Sequence, residues 1–129
     1  MANSFTELQY HCVFSTKTRE KLILHSIEQK VWAIIAKSAQ THGMQARRVG
    51  GIENHVHLLI AIPKTLAVAE AMKRLKGGSS KAINNSDLVE GKFQWQDGYS
   101  AFTVSTSVVS DLIHYIANQR AHHRVRTFE

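Results

Sequence analysis

Apolar residues recur along this chain with two different periods, and the switch between them divides it into elements. From residue 7 to 16, Leu8, Tyr10, Cys12 and Phe14 occupy every second position, as in a strand with one buried face. Ser26 then stands where a helix N-cap belongs, and Gln29, three residues on, completes a capping box. Val31, Ile34, Ile35 and Ser38 continue a helical stripe, and Gly43 supplies a C-terminal stop. Residues 44–49 read as a second strand, Gly50-Gly51 as a turn, and residues 54–62 as a third strand that Pro63 ends. Thr65 can cap a second helix, with Val68, Ala71, Met72 and Leu75 at i, i+3, i+4 and i+7, and Gly77-Gly78 breaks it. Residues 99–105 form a fourth strand. A last helix begins near Ser107, with Val109, Leu112, Ile113 and Ile116 as its apolar face.

The order βαββαβ, followed by an extra helix, predicts an α+β fold. Its simplest form is a ferredoxin-like antiparallel sheet with two helices on one face. The additional C-terminal helix, which carries Tyr115, can cross the other face. A chain of 129 residues fits a single domain, residues 1–129, with a core of its own. Alternation in the third strand points Val56, Leu58, Ile60 and Ile62 toward the covering helices. His55 and His57 then share the open face.

That geometry sets the candidate chemistry. Two imidazoles side by side on one sheet face suit a metal ion with an open position, and they equally suit two hydrogen-bonded surface histidines. Glu53 precedes them by two residues. In a regular strand it shares their face as a fourth or outer ligand; otherwise it is a solvated end charge. In the last helix Tyr115, Gln119 and His122 fall at i, i+4 and i+7. They form a stripe roughly a quarter turn from the apolar one. A tyrosine hydroxyl and a glutamine amide can thus face one site, or the stripe is a half-buried tyrosine beside a solvated glutamine.

Composition narrows the partners. Sixteen Lys and Arg against ten Asp and Glu leave a formal charge of +6, which favours a polyanion such as nucleic acid. Cys12 is the only cysteine, so no intrachain disulfide forms. A reducing cytosol and a core position for Cys12 fit. No apolar run reaches the ~18–20 residues of a membrane span, and the N-terminus lacks the order of a secretory signal. The expected localisation is cytoplasmic.

The segments carrying this chemistry resemble a known family. His55-Val56-His57 matches the His–apolar–His core of the single-tyrosine HUH transposases of small bacterial insertion sequences, which include the REP-associated tyrosine transposases. Tyr115-Ile116-Ala117-Asn118-Gln119-Arg120-Ala121-His122-His123 resembles the family's second signature. Residues 75–80, 93–105 and 10–17 also look familial, in the expected order, so the resemblance spans nearly the whole chain.

The resemblance implies cleavage and rejoining of single-stranded DNA by transesterification. Tyr115 is the implied nucleophile, forming a 5′-phosphotyrosine and freeing a 3′-hydroxyl. His55, His57 and Gln119 are the implied ligands of a divalent metal. Ligand type alone favours manganese or another transition metal, whereas the family resemblance implies magnesium or manganese. It further implies a homodimer, whose tyrosine helix serves either subunit, and single-stranded DNA with hairpin ends as partner. No nucleotide cofactor is expected, because the covalent link conserves the bond energy. The chain also lacks a Gly-x4-Gly-Lys loop.

DNA contact is expected from Lys73, Arg74, Lys76 and Lys81 around Gly77-Gly78, and from Arg120 and Arg124. Arg47, Arg48 and Arg126 are further candidates, and the alternative for the helical group is a solvated face. Trp95 and Tyr99 fit base stacking, or the core or a dimer interface. Asn118 is expected to organise the helix or the DNA, and His122 and His123 to touch phosphate or close the helix end. The alternative function is a domesticated DNA-binding or REP-processing relative that does not transpose.

Overall fold

A computed structural model describes residues 4–121. His122, His123, Arg124 and Arg126 lie outside the described residues. The elements are β1 (Gln9–Ser15), α1 (Glu28–Thr41), β2 (Gln45–Ile52), β3 (His55–Ala61), α2 (Val68–Asn85), β4 (Ser100–Thr103) and α3 (Val109–Ala117). Short 3₁₀ turns occupy Lys17–Arg19 and Thr106–Val108.

The four strands form one antiparallel sheet in the order β2-β3-β1-β4. This is the ferredoxin-like arrangement, with β1 and β3 central and β2 and β4 at the edges. Val56, Leu58 and Ile60 are fully buried and Ile62 is 3 % exposed. They share a core with Cys12 and Phe14 of β1, Val31, Ile35 and Ala39 of α1, and Ala71, Met72 and Leu75 of α2. Burying one such aliphatic side chain contributes ~1.5–3 kcal/mol. A one-residue slip of β3 would expose all four aliphatics and drive both histidines into the core. The register is therefore fixed by hydrophobicity alone.

Several boundaries differ from expectation. Helix α1 begins at Glu28, with Ile27 at the N-cap and no side-chain capping bond, so Ser26 does not build a capping box. Helix α2 begins at Val68 after Ala67 rather than at a Thr65 cap. Gly50 and Gly51 lie inside β2, and the turn to β3 is made by Glu53 and Asn54, since Ile52 pairs with His55.

Gly77 and Gly78 do not break α2, which runs on to Asn85. Two interior glycines cost a helix about 1 kcal/mol each, and packing offsets that cost at Gly78. A Cβ there would lie 2.6 Å from Ser38 Oγ and 3.1 Å from His42 Cε1, so glycine lets α1 and α2 approach. The backbone N–H groups of the pair are consequently part of a helix, not an open phosphate cradle.

The segment between α2 and β4 is anchored by aromatic packing. Trp95 stands edge-on to Phe14 and Phe93, with ring centroids 4.6 and 4.7 Å away. Its indole Nε1 donates to Ser79 Oγ at 3.0 Å. Trp95 is thus a core residue, while Tyr99 remains 41 % exposed. None of the described helices is long and apolar enough to cross a membrane.

Candidate active site

The face of the sheet opposite α1 and α2 carries His55 and His57 from β3, together with His11 from β1. His11 pairs across the ladder with Leu59, and Val13 with His57, so the two imidazoles sit diagonally on neighbouring strands. Nε2 of His11 and Nδ1 of His57 are 2.9 Å apart, within hydrogen-bond distance. The rings stack with centroids 5.1 Å apart. Burial lowers the His11 pKa, which favours neutral imidazole. His55 Nδ1 lies 2.9 Å from Asn54 Oδ1. Because that oxygen only accepts, His55 carries a proton on Nδ1.

Helix α3 crosses this face over β2 and β3. Its approach depends on Gly50, which pairs with His57 on the open side of β2. A Cβ at Gly50 would stand 2.4 Å from the carbonyl oxygen of Ile116 and 3.0 Å from its side chain. Glycine at this position leaves room for that approach, and Ile116 is fully buried. Leu59, on the same face as the histidines, is also fully buried.

The crossing brings Tyr115 over the histidines. Its ring is edge-on to His57 at 5.8 Å and to His11 at 6.3 Å between centroids. The continuous helix ends at Ala117, sooner than the Tyr115–Gln119–His122 stripe requires. Asn118 leaves helical geometry and returns its side-chain amide to the His114 carbonyl at 2.8 Å. Gln119 follows in a further turn. Its Nε2 donates to the Tyr115 carbonyl at 3.2 Å, and its Oε1 is buried with no hydrogen-bond partner among the described residues.

A buried amide oxygen without a partner costs ~1–3 kcal/mol, and a cation beside it would remove that cost. Among the described residues no three His, Cys, Asp or Glu side chains gather as a metal site. Imidazole nitrogens from His55 and His57 with Gln119 Oε1 are a donor set suited to a divalent ion.

Glu53 lies in the β2–β3 turn and is held by Arg120, whose Nη1 donates to Glu53 Oε1 at 2.7 Å. Nη2 of the same guanidinium donates to Glu28 Oε2 at 3.1 Å. Burial pushes the Glu53 carboxyl up. The hydrogen bond from Arg120, a bond to its own backbone, and the charges of Arg120 and Lys21 outweigh this and leave the pKa below its ordinary value. The Glu53 hydrogen bond in turn raises the Arg120 pKa. Arg120 thus ties the end of the tyrosine helix to the β2–β3 turn and to the start of α1.

The remaining expected DNA contacts are divided between surfaces. Lys73 and Lys81 are exposed on α2, and Arg74 pairs with Glu70 at 3.1 Å. Because α2 packs on the core side of the sheet, these residues lie across the sheet from Tyr115. Lys76 is committed to the chain: its Nζ donates to the carbonyls of Gln96 and Gly98 at 2.6 and 2.7 Å. Arg48 is exposed on β2 and pairs with Leu59, which assigns it to the histidine face. Arg47 reaches Gln9 Oε1 at 3.1 Å. Cys12 is fully buried, and burial pushes its thiol up to about 12, so it is no nucleophile.

His11 was not among the site residues expected from sequence, because a single histidine within an alternating strand carries no spacing signal. The usable signal was its parity: His11 and Cys12 face opposite ways, so a core position for Cys12 puts His11 on the open face.

Comparison with known proteins gives this arrangement its context. A transposase of Deinococcus radiodurans, ISDra2 TnpA, is 24 % identical over 118 residues, covering 88 % of this chain and 84 % of the relative. The transposase of insertion sequence IS200 from Salmonella typhimurium is 28 % identical over 123 residues, covering 88 % and 79 %. Among solved structures, a candidate transposase from Deinococcus radiodurans superposes with a TM-score of 0.73 at 23 % identity, covering 92 % of this chain and 95 % of that one. A REP-associated tyrosine transposase bound to a REP hairpin gives 0.66 at 13 % identity, covering 95 % and 73 %. The two superpositions speak for the fold. The model of the IS200-like transposases matches residues 4–119, and on that match this chain belongs to the IS200-like transposase family.

Proposed function

We propose that this transposase cleaves and rejoins single-stranded DNA through Tyr115, by transesterification assisted by a divalent metal. The observation that carries the reading is the convergence of Tyr115 from α3 with His57 from β3, one turn before a buried amide oxygen that has no hydrogen-bond partner among the described residues. The Tyr115 hydroxyl oxygen attacks a backbone phosphorus and the bond to the 3′-oxygen breaks. The phenolic proton is lost, the departing 3′-oxygen gains one, and the 5′-phosphate stays on the tyrosine. Attack by a 3′-hydroxyl reverses these changes and rejoins a strand, so no nucleotide is consumed.

His55, His57 and Gln119 would hold the metal, magnesium or manganese. When bound, it would polarise the scissile phosphate and offset the charge that develops in the transition state. A phenol with an ordinary pKa near 10 is a poor nucleophile at neutral pH, which is why such assistance matters. Glu53 acts through Arg120 in this reading rather than as a ligand.

The substrate is single-stranded DNA flanked by hairpins. The relative solved with a REP hairpin supports the class of partner, and the +6 charge supports a polyanion. Arg48 would contact phosphates near the site, with Lys73, Arg74 and Lys81 holding DNA that passes to the other side of the sheet. Arg124 is a further proposed contact. The protein would act in the cytoplasm as a homodimer. Its edge strands β2 and β4 offer unpaired backbone groups that a second subunit would cover.

Cleavage of a labelled hairpin-bearing oligonucleotide, with and without Mg²⁺ or Mn²⁺, tests the proposal. His55→Ala and His57→Ala should each abolish cleavage while the fold survives, since neither side chain belongs to the aliphatic core. Cleavage at the wild-type rate by either variant would refute the metal assignment. DNA binding without any cleavage by the wild-type protein would favour a domesticated relative.

A further inference from the structure

We propose that His11 is a positioning residue that fixes which nitrogen His57 presents to the metal. This rests on the metal reading above and adds a residue to it. His57 can offer a ligand either Nδ1 or Nε2, and the two differ in direction. His11 Nε2 lies 2.9 Å from His57 Nδ1, so Nδ1 is engaged and coordination goes through Nε2. An imidazole that coordinates through Nε2 carries its remaining proton on Nδ1, and that proton needs an acceptor. His11 Nε2 is the acceptor. His11 must then be neutral with its own proton on Nδ1, a state in which the pair shares one hydrogen bond without conflict.

The arrangement has a counterpart in the same strand. Asn54 Oδ1 accepts from His55 Nδ1 at 2.9 Å, so both histidines of the pair have Nδ1 engaged, one by an amide and the other by an imidazole. His11 is also held in place. It stacks on His57 at 5.1 Å and stands edge-on to Tyr115 at 6.3 Å. The residue that sets the tautomer therefore also packs against the nucleophile, and a change there should reach both.

Substitutions at His11 separate an acceptor from mere bulk. His11→Gln brings an amide oxygen to nearly the position of the lost Nε2, and His11→Ala removes the acceptor. Binding of Mn²⁺ alone would be followed by electron paramagnetic resonance for the wild type, both variants and His57→Ala. The His57 tautomer would be read in the metal-free protein by ¹⁵N–¹H correlation of the imidazole. His11→Ala should weaken Mn²⁺ binding ten- to a hundredfold, and His11→Gln should recover most of it. The wild-type spectrum should show the His57 proton on Nδ1. If the wild type binds Mn²⁺ through His57 but His11→Ala binds it equally well, the role of His11 is overturned and the metal site stands. A His57 proton on Nε2 in the wild type would overturn the role of His11 even if His11→Ala failed to fold. Wild-type protein whose Mn²⁺ binding is unaffected by His57→Ala would overturn both.

Discussion

At the scale of single residues, one hydroxyl separates structure from chemistry. Tyr115→Phe keeps the ring that packs edge-on against His57 and His11, and removes only the oxygen proposed to attack phosphorus. Thermal stability and DNA affinity should stay near wild type, while the covalent protein–DNA adduct disappears on a denaturing gel. An adduct that persists in this variant would assign the nucleophile elsewhere. The residues of the site were legible to different degrees. His55 and His57 were visible because period-two alternation against four aliphatics leaves only one face for them. Tyr115 and Gln119 were visible through helical spacing and the family resemblance. The hydrogen bonds around them were not, because they cross between elements: His11 to His57 spans strands, and Arg120 to Glu53 joins the segment after the tyrosine helix to a hairpin.

At the scale of elements, glycines mark where backbones touch. Gly50-Gly51 and Gly77-Gly78 both look like breaks in the sequence, since isolated propensity counts only their conformational freedom. Tertiary contact overrides it in both pairs. Gly50→Ala would force a methyl group against a backbone carbonyl of α3 that no rotamer change can move. It should cost ~1–3 kcal/mol and lower cleavage more than DNA binding, because it tilts the tyrosine helix. Gly77 has open space around it. Gly77→Ala should instead stabilise the protein by ~0.5–1 kcal/mol, read as a higher urea midpoint.

The ionic tie of Arg120 adds a pH dependence. Glu53 has a folded pKa below its unfolded one. Its contribution to stability is therefore present above the unfolded value, near 4.3, and is lost as pH falls through the folded value. With Arg120 and Glu53 both partly exposed, the pair contributes about 1 kcal/mol or less. Arg120→Gln should lower the neutral-pH stability by about 1 kcal/mol or less, leave the low-pH stability little changed, and so flatten the acid limb of a stability–pH curve. An unchanged acid limb would show that the tie carries no such energy.

At the scale of the whole molecule, the separation of basic surfaces predicts how DNA is held. Affinity for single-stranded DNA should fall with salt, with a log–log slope of ~0.7 per neutralised phosphate. Lys73→Ala and Lys81→Ala should each reduce that slope if DNA wraps past the sheet to α2. A slope identical to wild type in both would confine DNA to the histidine face. In this chain α3 covers its own sheet, so one subunit brings Tyr115 to His57. A mixed dimer of Tyr115→Phe and His57→Ala subunits should recover cleavage if the helix exchanges between partners, and none if each subunit keeps its own. The most direct measurement is the position of the covalent link. A hairpin-bearing oligonucleotide would be trapped on the wild-type protein with Mg²⁺ or Mn²⁺, the complex digested, and the DNA-linked peptide sequenced by mass spectrometry. The link should fall on Tyr115, joined to a 5′-phosphate; a link on any other residue, or strand cleavage with no link at all, would contradict transesterification through this tyrosine.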